Sequence, residues 1–127
     1  MTAQKNKKIL IVDDNPMNIT VLMRILSPYY KIYATKNGRD ALQVAEEQIP
    51  DLILLDVIME DMDGYDVIAA LKTTESLKHI PVMFLSSKTE VEDHRIGLAA
   101  GAVDYLFKPF DRDILLRQID YHIRKLI

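Results

Sequence analysis

The chain has 127 residues, 49% of them hydrophobic and 28% charged, a balance that fits one globular domain able to bury its own core. It contains no cysteine, which excludes disulfide frameworks, thiolate metal sites and cysteine nucleophiles and makes a reducing cytoplasm the natural setting. A net charge of -3 with a pI near 5.6 lacks the cationic excess that direct nucleic-acid binding needs, and no apolar run is long enough for a signal peptide or a membrane span.

Residues 1–7 read as a polar tail and residues 8–127 as one folded domain. Lys8-Ile9-Leu10-Ile11-Val12 is an unbroken aliphatic run that ends in Asp13-Asp14, the pattern of a strand buried on both faces. Pro16 opens a helix that Asp14 or Asn15 can cap, with Ile19, Leu22, Met23 and Leu26 at helical spacing up to Ser27-Pro28. Residues 30–35 form a second strand. Asn37-Gly38 then turns into a helix carrying Ala41, Leu42 and Ala45, stopped by Pro50. Residues 52–55 are a third strand, again followed by a carboxylate, Asp56.

Beyond Asp63-Gly64, the spacing of Val67, Ile68 and Leu71 predicts a third helix, and residues 81–85 a fourth strand running into Ser86-Ser87. A fourth helix over 91–100 closes at Gly101, a fifth strand covers 103–107, and an amphipathic helix runs from Asp111 to about Lys125. Strands buried on both faces and alternating with helices predict a doubly wound α/β fold with a parallel sheet and right-handed crossovers. Ligands of such sheets bind outside the carboxyl ends of the strands, which singles out Asp13, Asp14, Asp56, Ser86 and Lys108.

Several aspartates at one sheet edge repel one another, and a hard divalent cation bound through oxygen is the simplest relief. Magnesium suits such a site because it keeps waters and takes phosphate oxygens as ligands. A lysine and a hydroxyl nearby can each hold a phosphoryl oxygen while a carboxylate acts as nucleophile, so the set points to phosphoryl transfer.

Ile9-Leu10-Ile11-Val12-Asp13-Asp14-Asn15, Leu54-Leu55-Asp56 with Met59, Met62, Asp63 and Gly64, the run from Pro81 to Ser86, and Asp104-Tyr105-Leu106-Phe107-Lys108-Pro109-Phe110 together resemble response-regulator receiver domains over nearly the whole chain. The resemblance implies a flavodoxin-like strand order 2-1-3-4-5. It further implies that Asp56 accepts a phosphoryl group from a histidine kinase or histidine phosphotransfer domain. Asp14 and Asp56 would ligate Mg2+ directly, Asp13 through water and Ile58 through its backbone carbonyl, with Mn2+ able to substitute. Lys108 matches the lysine that pairs with the phosphoryl group, and Ser86 the hydroxyl that moves toward it.

Tyr105 matches the aromatic that turns from exposed to buried in response, altering the face of the fourth helix, fifth strand and fifth helix. That face would regulate an output domain or partner, and its charges Arg95, Asp104 and Arg117 could pair across a homodimer. The sequence departs from the family at Glu60, where Pro is frequent, and at Ser87, where Ala is common. Ile58 and Lys88 occupy the variable positions associated with control of hydrolysis.

Taken singly these residues have plainer readings. Asp13-Asp14 can cap a helix, Ser86-Ser87 can begin a polar loop, Lys108-Pro109 can be a strand exit and Tyr105 a packing aromatic. His79, His94 and His122 lack metal-ligand spacing and read as surface or packing residues. An EF-hand over the acidic loop fails, because Met59 and Ala70 fall where carboxylates are needed. Two other functions compete. An aspartate-nucleophile phosphatase would need a second acid where Ile58 stands, and a phosphorylation-independent interaction module would not need the acids, hydroxyl and lysine together. The chain reads either as a single-domain regulator or as a segment of a hybrid kinase or multidomain regulator.

Overall fold

The computed structural model describes residues 6–59, 62–87 and 91–124. The strands are β1 (Lys8–Val12), β2 (Lys31–Thr35), β3 (Leu52–Asp56), β4 (Val82–Ser87) and β5 (Asp104–Lys108). The helices are α1 (Pro16–Leu26), α2 (Gly38–Gln48), α3 (Gly64–Lys72), α4 (Val91–Ala100) and α5 (Arg112–Arg124). The strands form one parallel sheet in the order β2-β1-β3-β4-β5, as the resemblance implied.

Consecutive strand residues point to opposite faces, so each aliphatic run supplies two cores at once. Leu10, Val12, Ile53, Leu55, Val82 and Phe84 face α2 and α3, where they meet Ala41, Ala45, Val67, Ile68 and Leu71. Ile9, Ile11, Leu52, Leu54, Met83 and Leu85 face α1 and α5, where they meet Leu22, Leu26, Leu115, Leu116 and Ile119. This double burial explains why the runs show no polar alternation. No helix among the described residues is long and apolar enough to cross a membrane.

Polar caps set the helix starts. Asn15 accepts a hydrogen bond from the Met17 N–H at 2.9 Å, Asn37 from Asp40 at 2.8 Å and Asp63 from Asp66 at 2.9 Å. Asp111, expected as the first residue of the last helix, instead caps it, accepting from the N–H groups of Asp113 and Ile114. At the far end of α2, Pro50 turns the chain and leaves Ile49 at φ 45°, a left-handed conformation that costs an L-residue about 1–2 kcal/mol. Tyr30 also falls outside its expected strand, because its N–H bonds the Leu26 carbonyl and completes the exit from α1.

At the carboxyl edge of the sheet three expected boundaries move by a residue or two. Asp56, Ser86 and Lys108 belong to the last paired rows of their strands, with Asp56 beside Leu85, Ser86 beside Phe107 and Ser87 beside Lys108. The loop after β3 folds back so that the Gly64 N–H bonds the Val57 carbonyl at 2.8 Å. A Cβ at Gly64 would lie 2.6 Å from the Asp56 carbonyl oxygen and 2.9 Å from a Phe84 ring carbon. Gly64→Ala is therefore expected to destabilise the domain by about 1–3 kcal/mol in urea unfolding. Wild-type stability in that variant would show that the loop yields without strain.

Candidate functional site

The winding of the sheet reverses between β1 and β3, so the residues leaving these two strands converge. Asp13 follows β1, with its N–H bonded to the Thr35 carbonyl at 3.1 Å and its side chain 0% exposed. One carboxylate oxygen accepts from the Asn15 N–H at 2.9 Å and the other from the Asn18 amide at 3.0 Å. Asp14 is exposed. Asp56 is 7% exposed, and its Oδ1 lies 3.5 Å from Lys108 Nζ. Carboxylate oxygens of Asp13, Asp14 and Asp56 all fall within 4.8 Å of one another. Asp14 and Asp56 border a pocket of about 230 Å³ also lined by Asn18, Ile58, Ser86 and Lys108.

This crowding perturbs Asp56. Burial pushes its carboxyl up, the charge of Asp13 pushes it further, and a hydrogen bond shared with Asp13 adds to the rise. Lys108 and a backbone hydrogen bond from Ile58 pull the other way, and the balance stands at about 6. A carboxylate held so far above its ordinary 3.8 marks a site short of positive charge. The donors at hand are hard carboxylate oxygens, with neither imidazole nor thiolate among them, and the pocket has room for a hydrated ion and a phosphoryl group. Both features fit Mg2+.

All the strand-end residues singled out from sequence thus meet at one place. Ile58 joins them, with its side chain 65% exposed at the mouth of the pocket. Ser86 is buried at the pocket wall. Glu60 and Lys88 lie outside the described residues.

Tyr105 takes the inward of its two expected positions here, being 5% exposed. Its ring stacks on Phe107 at 6.3 Å and meets Phe84 at 5.7 Å, and these apolar neighbours explain its inward position. Asp104 is half-exposed and also bonded within its own chain. Its Oδ2 lies 2.9 Å from His122 Nε2 and accepts from the Gln118 amide at 3.1 Å, while Gln118 also donates to the Tyr105 carbonyl at 3.0 Å. Burial by itself would raise the Asp104 carboxyl, but the bonds from His122, the Tyr105 N–H and Gln118 hold it below the ordinary value. His122 is accordingly a buried packing residue tied to β5, and His79 is exposed.

Asn18 was missed in the sequence. An asparagine in the first turn of a helix opening beside two strand ends was the available signal, since asparagine is a poor helix former except where its amide has work near the terminus.

Residues 9–120 match the family model of the response regulator receiver domain. A probable cyclic di-GMP phosphodiesterase of Vibrio cholerae is 42% identical over 116 residues, covering 91% of this chain and 26% of that protein. The chain therefore spans about a quarter of that relative's length. Among solved structures, the chemotaxis protein CheY4 of Vibrio cholerae superposes with a TM-score of 0.85 at 30% identity, over 91% of this chain and 97% of that one. The receiver domain of a Pseudomonas aeruginosa sensor histidine kinase, solved with a magnesium ion coordinated in its active-site cleft, gives 0.85 at 34% identity over 93% and 98%. Strand order, the acidic pocket at the β1–β3 reversal and these matches lead to one conclusion: the chain belongs to the response-regulator receiver domains, the signalling phosphoacceptors of two-component systems.

Proposed function

We propose that residues 8–127 act as a receiver domain, with residues 1–7 as a tail, and that Asp56 accepts the phosphoryl group from the phosphohistidine of a histidine kinase or phosphotransfer domain. The observation that carries this reading is the meeting of three carboxylates within 4.8 Å, of which Asp56 is the one also 3.5 Å from a lysine. An Asp56 carboxylate oxygen attacks phosphorus, the donor P–N bond breaks, and the imidazole leaves with the bonding pair and takes up a proton.

Asp14 and Asp56 would hold Mg2+ directly, with the Ile58 carbonyl, and Asp13 through water; Mn2+ is expected to substitute. When bound, the ion supplies positive charge against the spread negative charge of the transferring group. Lys108 offers its ammonium to one phosphoryl oxygen and Ser86 its hydroxyl to another. Drawing Ser86 toward the phosphoryl group vacates space beside Tyr105 and favours the inward ring position, which sets the surface of α4, β5 and α5 that an output domain or partner protein reads. A homodimer through the same surface would pair the charges of Arg95, Asp104 and Arg117, the last two at least partly exposed. The domain would act in the cytoplasm, as a signalling element without sustained turnover.

Incubation with acetyl phosphate and Mg2+ is expected to add one phosphoryl mass to the wild type, and none to Asp56→Asn or in the presence of a chelator. Labelling that persists in Asp56→Asn, or that ignores magnesium, would sink the assignment. Size measurement with beryllofluoride in the same experiment reads dimer formation.

The raised Asp56 carboxyl has a consequence for stability. Because its value in the folded chain exceeds the ordinary 3.8, the folded state holds a proton more tightly between about pH 4 and 6. Stability therefore falls as pH rises through that window and stays lowered above it. The gap amounts to about 3 kcal/mol. Without magnesium, Asp56→Asn is expected to exceed the wild type by about 2–3 kcal/mol at pH 7.5 and to match it near pH 4, by urea unfolding. A gain independent of pH would contradict this origin. Magnesium at 100 times its Kd should add about 2.7 kcal/mol to the wild type alone.

Ile58 cannot orient an attacking water by hydrogen bonding. Ile58→Asn is expected to change the lifetime of phospho-Asp56, followed by mass after the donor is removed. An unchanged half-life would remove Ile58 from the control of hydrolysis.

A further inference from the structure

The burial of Asp13 raises a question that the proposed magnesium site does not answer by itself. A carboxylate with no exposed surface needs hydrogen-bond donors to stay charged and keep one orientation. Asp13 has two such donors. The Asn15 N–H at 2.9 Å comes from the backbone and would be present with any residue but proline at 15, so it fixes one oxygen as part of the turn into α1. The Asn18 amide at 3.0 Å donates to the other oxygen, and the further hydrogen bond Asp13 shares with Asp56 needs a proton on one of the two carboxyls and is lost when both are ionised. Asn18 also borders the pocket itself.

With both carboxyls ionised and the Asn18 bond removed, only the Asn15 N–H would hold Asp13, and a single hydrogen bond fixes one oxygen but not the plane, so the carboxylate could rotate about its Cβ–Cγ axis. The carboxylate plane decides whether the remaining lone pairs of Asp13 point toward the space it shares with Asp14 and Asp56. We infer that Asn18 is a positioning residue for the divalent cation, acting through Asp13: its amide locks the Asp13 carboxylate in the plane that faces Asp14 and Asp56. Pro16 and Asn15 set the start of α1 and so place Asn18 one turn above the strand end. Groups that orient metal-binding side chains in this way commonly change affinity ten- to a hundred-fold when removed.

The inference rests on the magnesium site proposed above, and direct titration with Mg2+ by calorimetry separates the two. Asn18→Leu, which keeps the volume and removes the amide, is expected to weaken Mg2+ binding about ten-fold. Asn18→Gln, whose longer side chain can still bring an amide to Asp13, should stay within about three-fold of the wild type. Should Asn18→Leu fail to fold, Asn18→Ala takes its place. Affinity within two-fold of the wild type in the variant lacking the amide, or equal losses in Asn18→Leu and Asn18→Gln, would overturn the positioning role. Absence of saturable Mg2+ binding in the wild type itself would instead overturn the metal site.

Discussion

Two carboxylates taken out of water side by side, Asp13 and Asp56, are the constraint around which the rest of this domain is arranged. Their approach follows from the sheet. β1 and β3 are paired in parallel with Val12 beside Leu55, so the next residue of each strand must be a neighbour of the other. The two groups could separate only if one strand slid, and sliding by one residue would carry every aliphatic side chain of that strand to the wrong face. Ile9 to Val12 and Leu52 to Leu55 are all fully buried, each contributing about 1.5–3 kcal/mol. Together they far outweigh the roughly 3 kcal/mol of unfavourable charge at Asp56. The core holds the acids where they would not otherwise stay, and the imbalance favours any ligand that brings positive charge.

The same sheet explains what could be read from the sequence. Short β-rich aliphatic runs such as Lys8–Val12 and Leu52–Asp56, bounded by turn residues and alternating with helices, read as strands covered on both sides, and the residues at their ends are placed by topology before any side-chain contact is known. Asp13, Asp14, Asp56, Ser86 and Lys108 were legible for that reason. Features made by packing were not. The inward position of Tyr105 depends on Phe84 lying beside it in the β4–β5 register and on Phe107 two residues on, which periodicity does not reveal. The Asp104–His122 pair joins residues 18 apart across a strand and a helix, so neither looked partnered. Asn18 resembled an ordinary polar residue on a helix, and only the direction in which α1 leaves the sheet turns it toward Asp13.

The network around Asp104 also bears on how a signal can leave the site. Gln118 bonds both the Asp104 carboxylate and the Tyr105 carbonyl, and His122 bonds the same carboxylate one turn further along α5. Three bonds therefore fix the backbone of β5 to α5 at the level of Tyr105, and Leu115, Leu116 and Ile119 anchor the helix from the other side. A shear between β5 and α5 would break these bonds together and leave the half-exposed Asp104 carboxylate without its His122 and Gln118 partners. α4 is held differently, with Ile96 and Leu98 turned to solvent. In the proposed reading the change at Ser86 and Tyr105 reaches a surface in which Gln118 and His122 tie α5 to β5 while Ile96 and Leu98 of α4 face solvent.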